Sequence, residues 1–152
     1  MRNHLKKICP HGFGVIDPIP LILTNLEKDE VLPKDSHTFD YDFSLNKTVY
    51  VEKADVRKED EKGFYGCAPN KMVRLRFGPF VKITEVNDHS LKGEIIPEDK
   101  VENYKKVKGI LHWVGKDDSV ECETRIYSRL FNTVFPGKDS GDIMKDLVKD
   151  SK

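Results

Sequence analysis

Apolar residues recur at every second position through most of this chain, and that period restricts it to short strands rather than helices. Over residues 72–80, Val73, Leu75 and Phe77 alternate with Arg74 and Arg76, the pattern of a half-buried strand. Residues 48–52 (Thr-Val-Tyr-Val-Glu) are β-branched and aromatic, with Val49 and Val51 on one face. A third strand is expected over 109–114, and a turn at Gly115-Lys116-Asp117-Asp118 would lead from it into a strand over 120–127, forming a hairpin. Segments 81–86 and 91–96 flank Asn87-Asp88-His89-Ser90 as a second hairpin. Short strands joined by polar turns predict a mainly β fold, an antiparallel barrel or sandwich. Helix is scarce. Leu5 and Ile8 sit three apart before Pro10, and Ser140 is placed to cap a short helix carrying Ile143, Met144, Leu147 and Val148 on one face. Asp17-Pro18-Ile19-Pro20 is extended, because a residue before proline avoids the helical region. The segment 27–36 reads as the loop before the barrel.

A chain of 152 residues suits one compact domain with a real core. No apolar run approaches the roughly 18 residues of a membrane span, and no apolar stretch follows the basic N-terminus as a secretory signal would require. Cys9, Cys67 and Cys122 lie far apart, which is neither a disulfide framework nor a zinc-ligand spacing and fits a reducing compartment.

Lys plus Arg equals Asp plus Glu at 26 each, so a uniformly basic nucleic-acid binder is excluded. Local balance differs. Residues 27–60 hold ten acids against six bases, whereas 71–82 carry Lys71, Arg74, Arg76 and Lys82 with no acid. Residues 104–116 likewise carry Lys105, Lys106, Lys108 and Lys116 with no acid. The two windows form one basic surface for an anion if the fold brings them together. Arg74 and Arg76 are the sharpest signal. Two residues apart on a strand they face the same side about 7 Å apart, close to the pitch of successive phosphates, and each guanidinium fork binds phosphate with two hydrogen bonds. The competing reading pairs them with carboxylates of a neighbouring strand. Tyr65 offers a stacking face for an unpaired base, whereas Phe64 and Phe80 are expected in the core.

No catalytic constellation emerges. Ser, His and Asp are scattered, and His4, His11, His37, His89 and His112 show no metal-ligand spacing. His112, beside Trp113, is read as a packed structural residue. His11-Gly12-Phe13-Gly14 lacks the lysine and hydroxyl of a phosphate cradle, and Lys71-Met72-Val73-Arg74 lacks the serine and second lysine of an ATP-site motif.

With those segments in view, the chain resembles the anticodon-binding β-barrel region of the glutaminyl-tRNA synthetases. Carrying the resemblance, in order, are Val15-Ile16-Asp17-Pro18 with Leu23-Thr24-Asn25, Phe43-Ser44 with residues 49–55, and Tyr65-Gly66-Cys67-Ala68-Pro69-Asn70-Lys71 with Val73-Arg74-Leu75-Arg76. The most specific blocks are 106–114 (Lys-Val-Lys-Gly-Ile-Leu-His-Trp-Val) and 123–131 (Glu-Thr-Arg-Ile-Tyr-Ser-Arg-Leu-Phe).

The resemblance implies a ribosomal-protein-like antiparallel barrel over 37–131, after a lead-in segment with the first strand of a proximal barrel over 1–36. A tail with a short helix follows over 132–152, and the second barrel is expected to be incomplete. It further implies that the chain grips the anticodon stem-loop of glutamine tRNA, with Arg74 and Arg76 contacting the first anticodon base and its backbone. Lys71, Tyr65 and Lys62 lie in the neighbouring loop, and Lys106 and Lys108 in the second basic window. His11 stands where many members have an arginine that reads a central anticodon base, and Tyr65-Gly66 where many have a Lys-Arg pair. No cofactor is implied for this chain. ATP with magnesium would serve a catalytic domain of the same polypeptide, making the parent a cytoplasmic glutamine–tRNA ligase with neither membrane nor DNA as partner. Two rival readings are a glutamyl-type or non-discriminating synthetase module and a β-barrel that docks a protein instead of RNA.

Overall fold

A computed structural model of the chain describes residues 4–5, 8–9, 12–32, 43–101 and 106–149. These fall into two compact units, one ending at Val120 and one beginning at Glu121. In the first unit nine strands form: β1 (Pro18–Leu23), β2 (Glu30–Leu32), β3 (Phe43–Leu45), β4 (Thr48–Glu52), β5 (Met72–Leu75), β6 (Phe80–Val86), β7 (Leu91–Ile96), β8 (Ile110–Leu111) and β9 (Trp113–Gly115). Seven share one sheet in the order β8-β5-β6-β7-β1-β4-β9, and β2 pairs with β3 alone.

The two edges of the large sheet belong to one stretch of chain. Residues 110–111 pair in parallel with β5, and after His112 residues 113–115 pair antiparallel with β4. A single segment thereby bridges the two edge positions, and the sheet is nearly closed into a barrel. The mainly β, barrel-forming expectation is borne out. Its strands are mostly antiparallel, but β1–β7 and β5–β8 run parallel.

Alternation builds the interior. Ile19, Leu21 and Leu23 of β1, Val49 and Val51 of β4, and Val73 and Leu75 of β5 point inward, as do Val81 and Ile83 of β6. Leu91, Leu111 and Trp113 complete this buried cluster. Burying a Val, Leu or Ile side chain is worth about 1.5–3 kcal/mol, so a strand bearing two or three inward apolar residues is fixed in register by them. The prolines of β1 fit the same logic. Leu23 N donates to Lys47 O and Asp17 O accepts from Lys53 N, so the odd-numbered backbone groups face β4. The missing N–H groups of Pro18 and Pro20 face the other side, where pairing with β7 begins only at Leu21.

Four sequence expectations differ. The strand expected over 72–80 breaks after Leu75: Gly78 N donates to Leu75 O at 2.8 Å, and Phe80 starts the next strand. Gly78-Pro79 forces this, because proline cannot donate to a ladder and fixes its own φ. The hairpin joining 109–114 to 120–127 does not form. Residues 113–115 take β4 as partner, and residues 119–129 carry no strand. In place of a C-terminal helix there is a 3-10 turn over Ile143–Asp146, capped by Asp142 rather than Ser140, and both Ile143 and Met144 are exposed. Finally, β1 is an interior strand of the main sheet and not part of a separate lead-in segment.

The second unit is tied by polar groups. Asp146 is buried and accepts from Gly137 N at 2.7 Å and Ser140 Oγ at 2.8 Å. An isolated bridge links Phe131 to Leu147.

Candidate nucleic-acid interface

Arg74 and Arg76 stand on the outside of the barrel. Val73 and Leu75 are fully buried, whereas Arg74 is half-buried and Arg76 exposed. Although β5 ends at Leu75, the ladder continues: Arg74 N donates to Gly109 O at 2.7 Å and Arg76 N to Leu111 O at 2.9 Å. Both arginines are therefore held against the same neighbouring segment. Each head lies over an aromatic ring, Arg74 over Phe80 at 5.1 Å and Arg76 over Phe77 at 5.2 Å. Such cation–π stacking orients a guanidinium without consuming its hydrogen-bond donors.

Among the described residues neither arginine has a carboxylate within ion-pair distance. Three acids of the first unit are engaged by other groups. Glu52 accepts from the backbone of Ile16 at 2.6 Å and of Asp17 at 3.1 Å. Asp60 pairs with Lys71, and Glu85 with Lys92 at 2.8 Å. Among the described residues, then, no neighbouring strand neutralises the pair.

Parallel pairing of β5 with β8 brings the two acid-free windows side by side. Gly109 is the contact point. A Cβ there would lie 2.0 Å from Tyr65 O, so only glycine admits the loop that carries Tyr65. That ring is exposed, and Lys108 Nζ lies 5.3 Å from its centroid. Arg74, Arg76, Tyr65 and Lys108 are assembled in this way from three separate segments. Lys62 and Lys106 are exposed on the same loops. Lys71 is different: its ammonium is engaged by the Asp60 carboxylate and by Phe64 O. His11 lies outside the described residues. Phe80 is buried as expected, but Phe64 is only half-buried, with Arg57 stacked on it at 4.9 Å.

Beside Arg76 sits an aromatic cluster that the sequence did not mark. Phe13 meets His112 edge-on at 4.4 Å and stacks with Phe77 at 6.1 Å. Phe77 adopts a φ of 60°, a left-handed conformation costing a bulky residue roughly 1–2 kcal/mol. Packing of its ring against the core and Phe13 offsets that cost. The hydrogen bond from Trp113 Nε1 to Arg76 O, 2.9 Å long, anchors the turn from inside the barrel. His112 has its pKa lowered by desolvation, then by the positive field of Arg76, against smaller opposing effects of Glu52 and Asp55.

This outer face presents two stacked arginines with no ion-pair partner among the described residues and a lysine-flanked tyrosine, which suits a single-stranded polyanion with splayed bases. Similarity to known proteins agrees. Residues 9–103 match the anticodon-binding domain of the class I tRNA synthetases (E and Q). Across its full length the chain is 30% identical to the cytoplasmic glutamine–tRNA ligase of Arabidopsis thaliana, covering 21% of that protein. It is 32% identical to the glutamine–tRNA ligase of Lupinus luteus, with 91% of this chain and 20% of that one aligned. Identity is also 32% with the enzyme of the same name from Ralstonia nicotianae, over 93% of this chain and 27% of the relative. The chain thus spans between a fifth and just over a quarter of the length of these relatives. With the family match covering residues 9–103, which take in β1 to β7 with Tyr65, Arg74 and Arg76, the chain belongs to the anticodon-binding domain family of the class I tRNA synthetases (E and Q).

Proposed function

We propose that this chain grips the anticodon stem-loop of glutamine tRNA, as the anticodon-binding domain of a glutamine–tRNA ligase. The observation that carries the reading is the pair of outward, ring-stacked arginines with no carboxylate partner among the described residues, in a chain similar to glutamine–tRNA ligases. Arg74, Arg76 and Lys108 supply phosphate contacts and hence affinity. Tyr65 supplies a stacking face, and base edges supply specificity. Lys62 and Lys106 extend the positive rim. ATP-dependent ligation of glutamine, with magnesium, belongs to a catalytic domain of the same polypeptide, in the part of the relatives that this chain does not span. A cytoplasmic location follows the name of the Arabidopsis relative, and no described helix is long and apolar enough to cross a membrane.

The test is a filter-binding titration with glutamine tRNA and glutamate tRNA in competition, repeated over a range of salt. Arg74→Glu/Arg76→Glu is expected to weaken binding by roughly 10–100-fold per lost contact. It should also flatten the salt dependence by about 0.7 slope units per lost phosphate of a single strand. Unchanged binding at every salt concentration overturns the assignment of the arginines. Preference for glutamate tRNA overturns the assignment of the substrate.

A further inference from the structure

Lys71 lies in the first basic window, yet its side chain is only 22% exposed, and two of its three N–H donors are engaged by the protein itself. They go to the Asp60 carboxylate and to Phe64 O, and the ammonium also lies 5.6 Å from the Phe64 ring centroid. Arg57 approaches the same ring at 4.9 Å. Two cations thus hold one aromatic residue, and one of them also binds an acid four residues before it. Lys71 immediately precedes β5, so the contact joins the entry to that strand to the loop over 57–66.

That loop has little else to fix it. Phe64 and Lys62 are not in the core cluster, and Lys58 pairs with Asp88 across a highly exposed contact of the kind worth little. Its backbone ties are Phe64 N to Glu61 O at 3.0 Å and, at its base, Arg57 N to Cys67 O at 2.9 Å and Cys67 N to Asp55 O at 2.7 Å. Tyr65 follows Phe64 directly, and its carbonyl oxygen rests against Gly109. Where Phe64 is held, Tyr65 is aimed.

We infer that Lys71 is a positioning residue: it clamps Asp60 and Phe64 so that Tyr65 is presented beside Lys108 for an unpaired RNA base, and it makes no phosphate contact of its own. This rests on the function proposed above and assigns one residue of that site a different task. A surface lysine reading phosphate would leave its ammonium to solvent. Here the ammonium is already paired.

Two arms test it. In the free chain, Lys71→Met is expected to speed hydrogen exchange at the Phe64 and Cys67 amides by about tenfold or more, with Lys71→Arg restoring much of the protection. In tRNA binding, Lys71→Met should lower affinity several-fold while the salt slope stays that of the parent. Asp60→Asn is the sharpest variant. Removing a negative charge beside an anion site strengthens binding if only electrostatics matter, whereas loss of the clamp weakens it. This near-isosteric change at a half-exposed position also keeps the test open if Lys71→Met fails to fold. Unaltered exchange, a slope lowered by about 0.7 as for a lost phosphate contact, or tighter binding by Asp60→Asn each overturns the inference. A parent chain without affinity for tRNA overturns the proposed function, and the exchange arm then decides the clamp by itself.

Discussion

Individual side chains on the outer face do work that their identity announces only in part. Arg74 and Arg76 were legible as a phosphate-spaced pair, because alternation alone says they share a side. Their supports were not. Nothing in Phe77-Gly78-Pro79 says that a phenylalanine will accept a φ of 60° and serve as the plate beneath Arg76, since that depends on Phe13, 64 positions earlier, reaching the same spot. His112 is packed, as its place beside Trp113 suggests, and it meets Phe13 edge-on, but its sensitivity to acid comes from neighbours brought by the fold. Its pKa lies below the ordinary 6.5, first through desolvation and then through Arg76. Between the two values the unfolded chain binds more protons than the folded one, so stability declines as the pH falls below about 6.5. It stays level above that value. Chemical denaturation at pH 7.5 and 5.5 should show this loss in the parent and a smaller loss in His112→Gln. Equal losses in both chains contradict the role given to His112.

Strands followed the sequence where burial decided and departed from it where partners did. The β6–β7 hairpin was readable from Asn87-Asp88-His89-Ser90 between two apolar runs. The partner of 113–115 was not. A hairpin with the following segment is the local choice, yet these residues pair with β4, because Trp113 gains full burial only by closing the barrel. Lys116 N then donates to Thr48 O at 3.1 Å and Asp117 N to Asn46 Oδ1 at 3.2 Å, extending that contact beyond the strand. The indole adds its hydrogen bond to Arg76 O. Trp113→Phe keeps most of the apolar bulk and removes that bond, at an expected cost of about 1–2 kcal/mol, measured as a lower denaturation midpoint. Wild-type stability in this variant means that the tie to the turn contributes nothing.

On the scale of the whole molecule, a chain of zero net charge presents a positive face because pairing sorts its charges. Parallel contact of β5 with β8 sets Arg74 and Leu75 beside Ile110 and Leu111, while Glu52 is held by backbone amides and Asp60 by Lys71. The sequence held both windows, but their union depended on a contact between segments more than 30 residues apart, which local pattern does not carry. Family resemblance read in five ordered blocks pointed to the barrel and its ligand class together. The footprint of this chain on glutamine tRNA, probed by hydroxyl radicals, tests the central claim most directly. Protection confined to the anticodon stem-loop, and lost in Arg74→Glu/Arg76→Glu, is the expected result. Protection elsewhere on the tRNA, or a footprint that survives the double reversal, would contradict it.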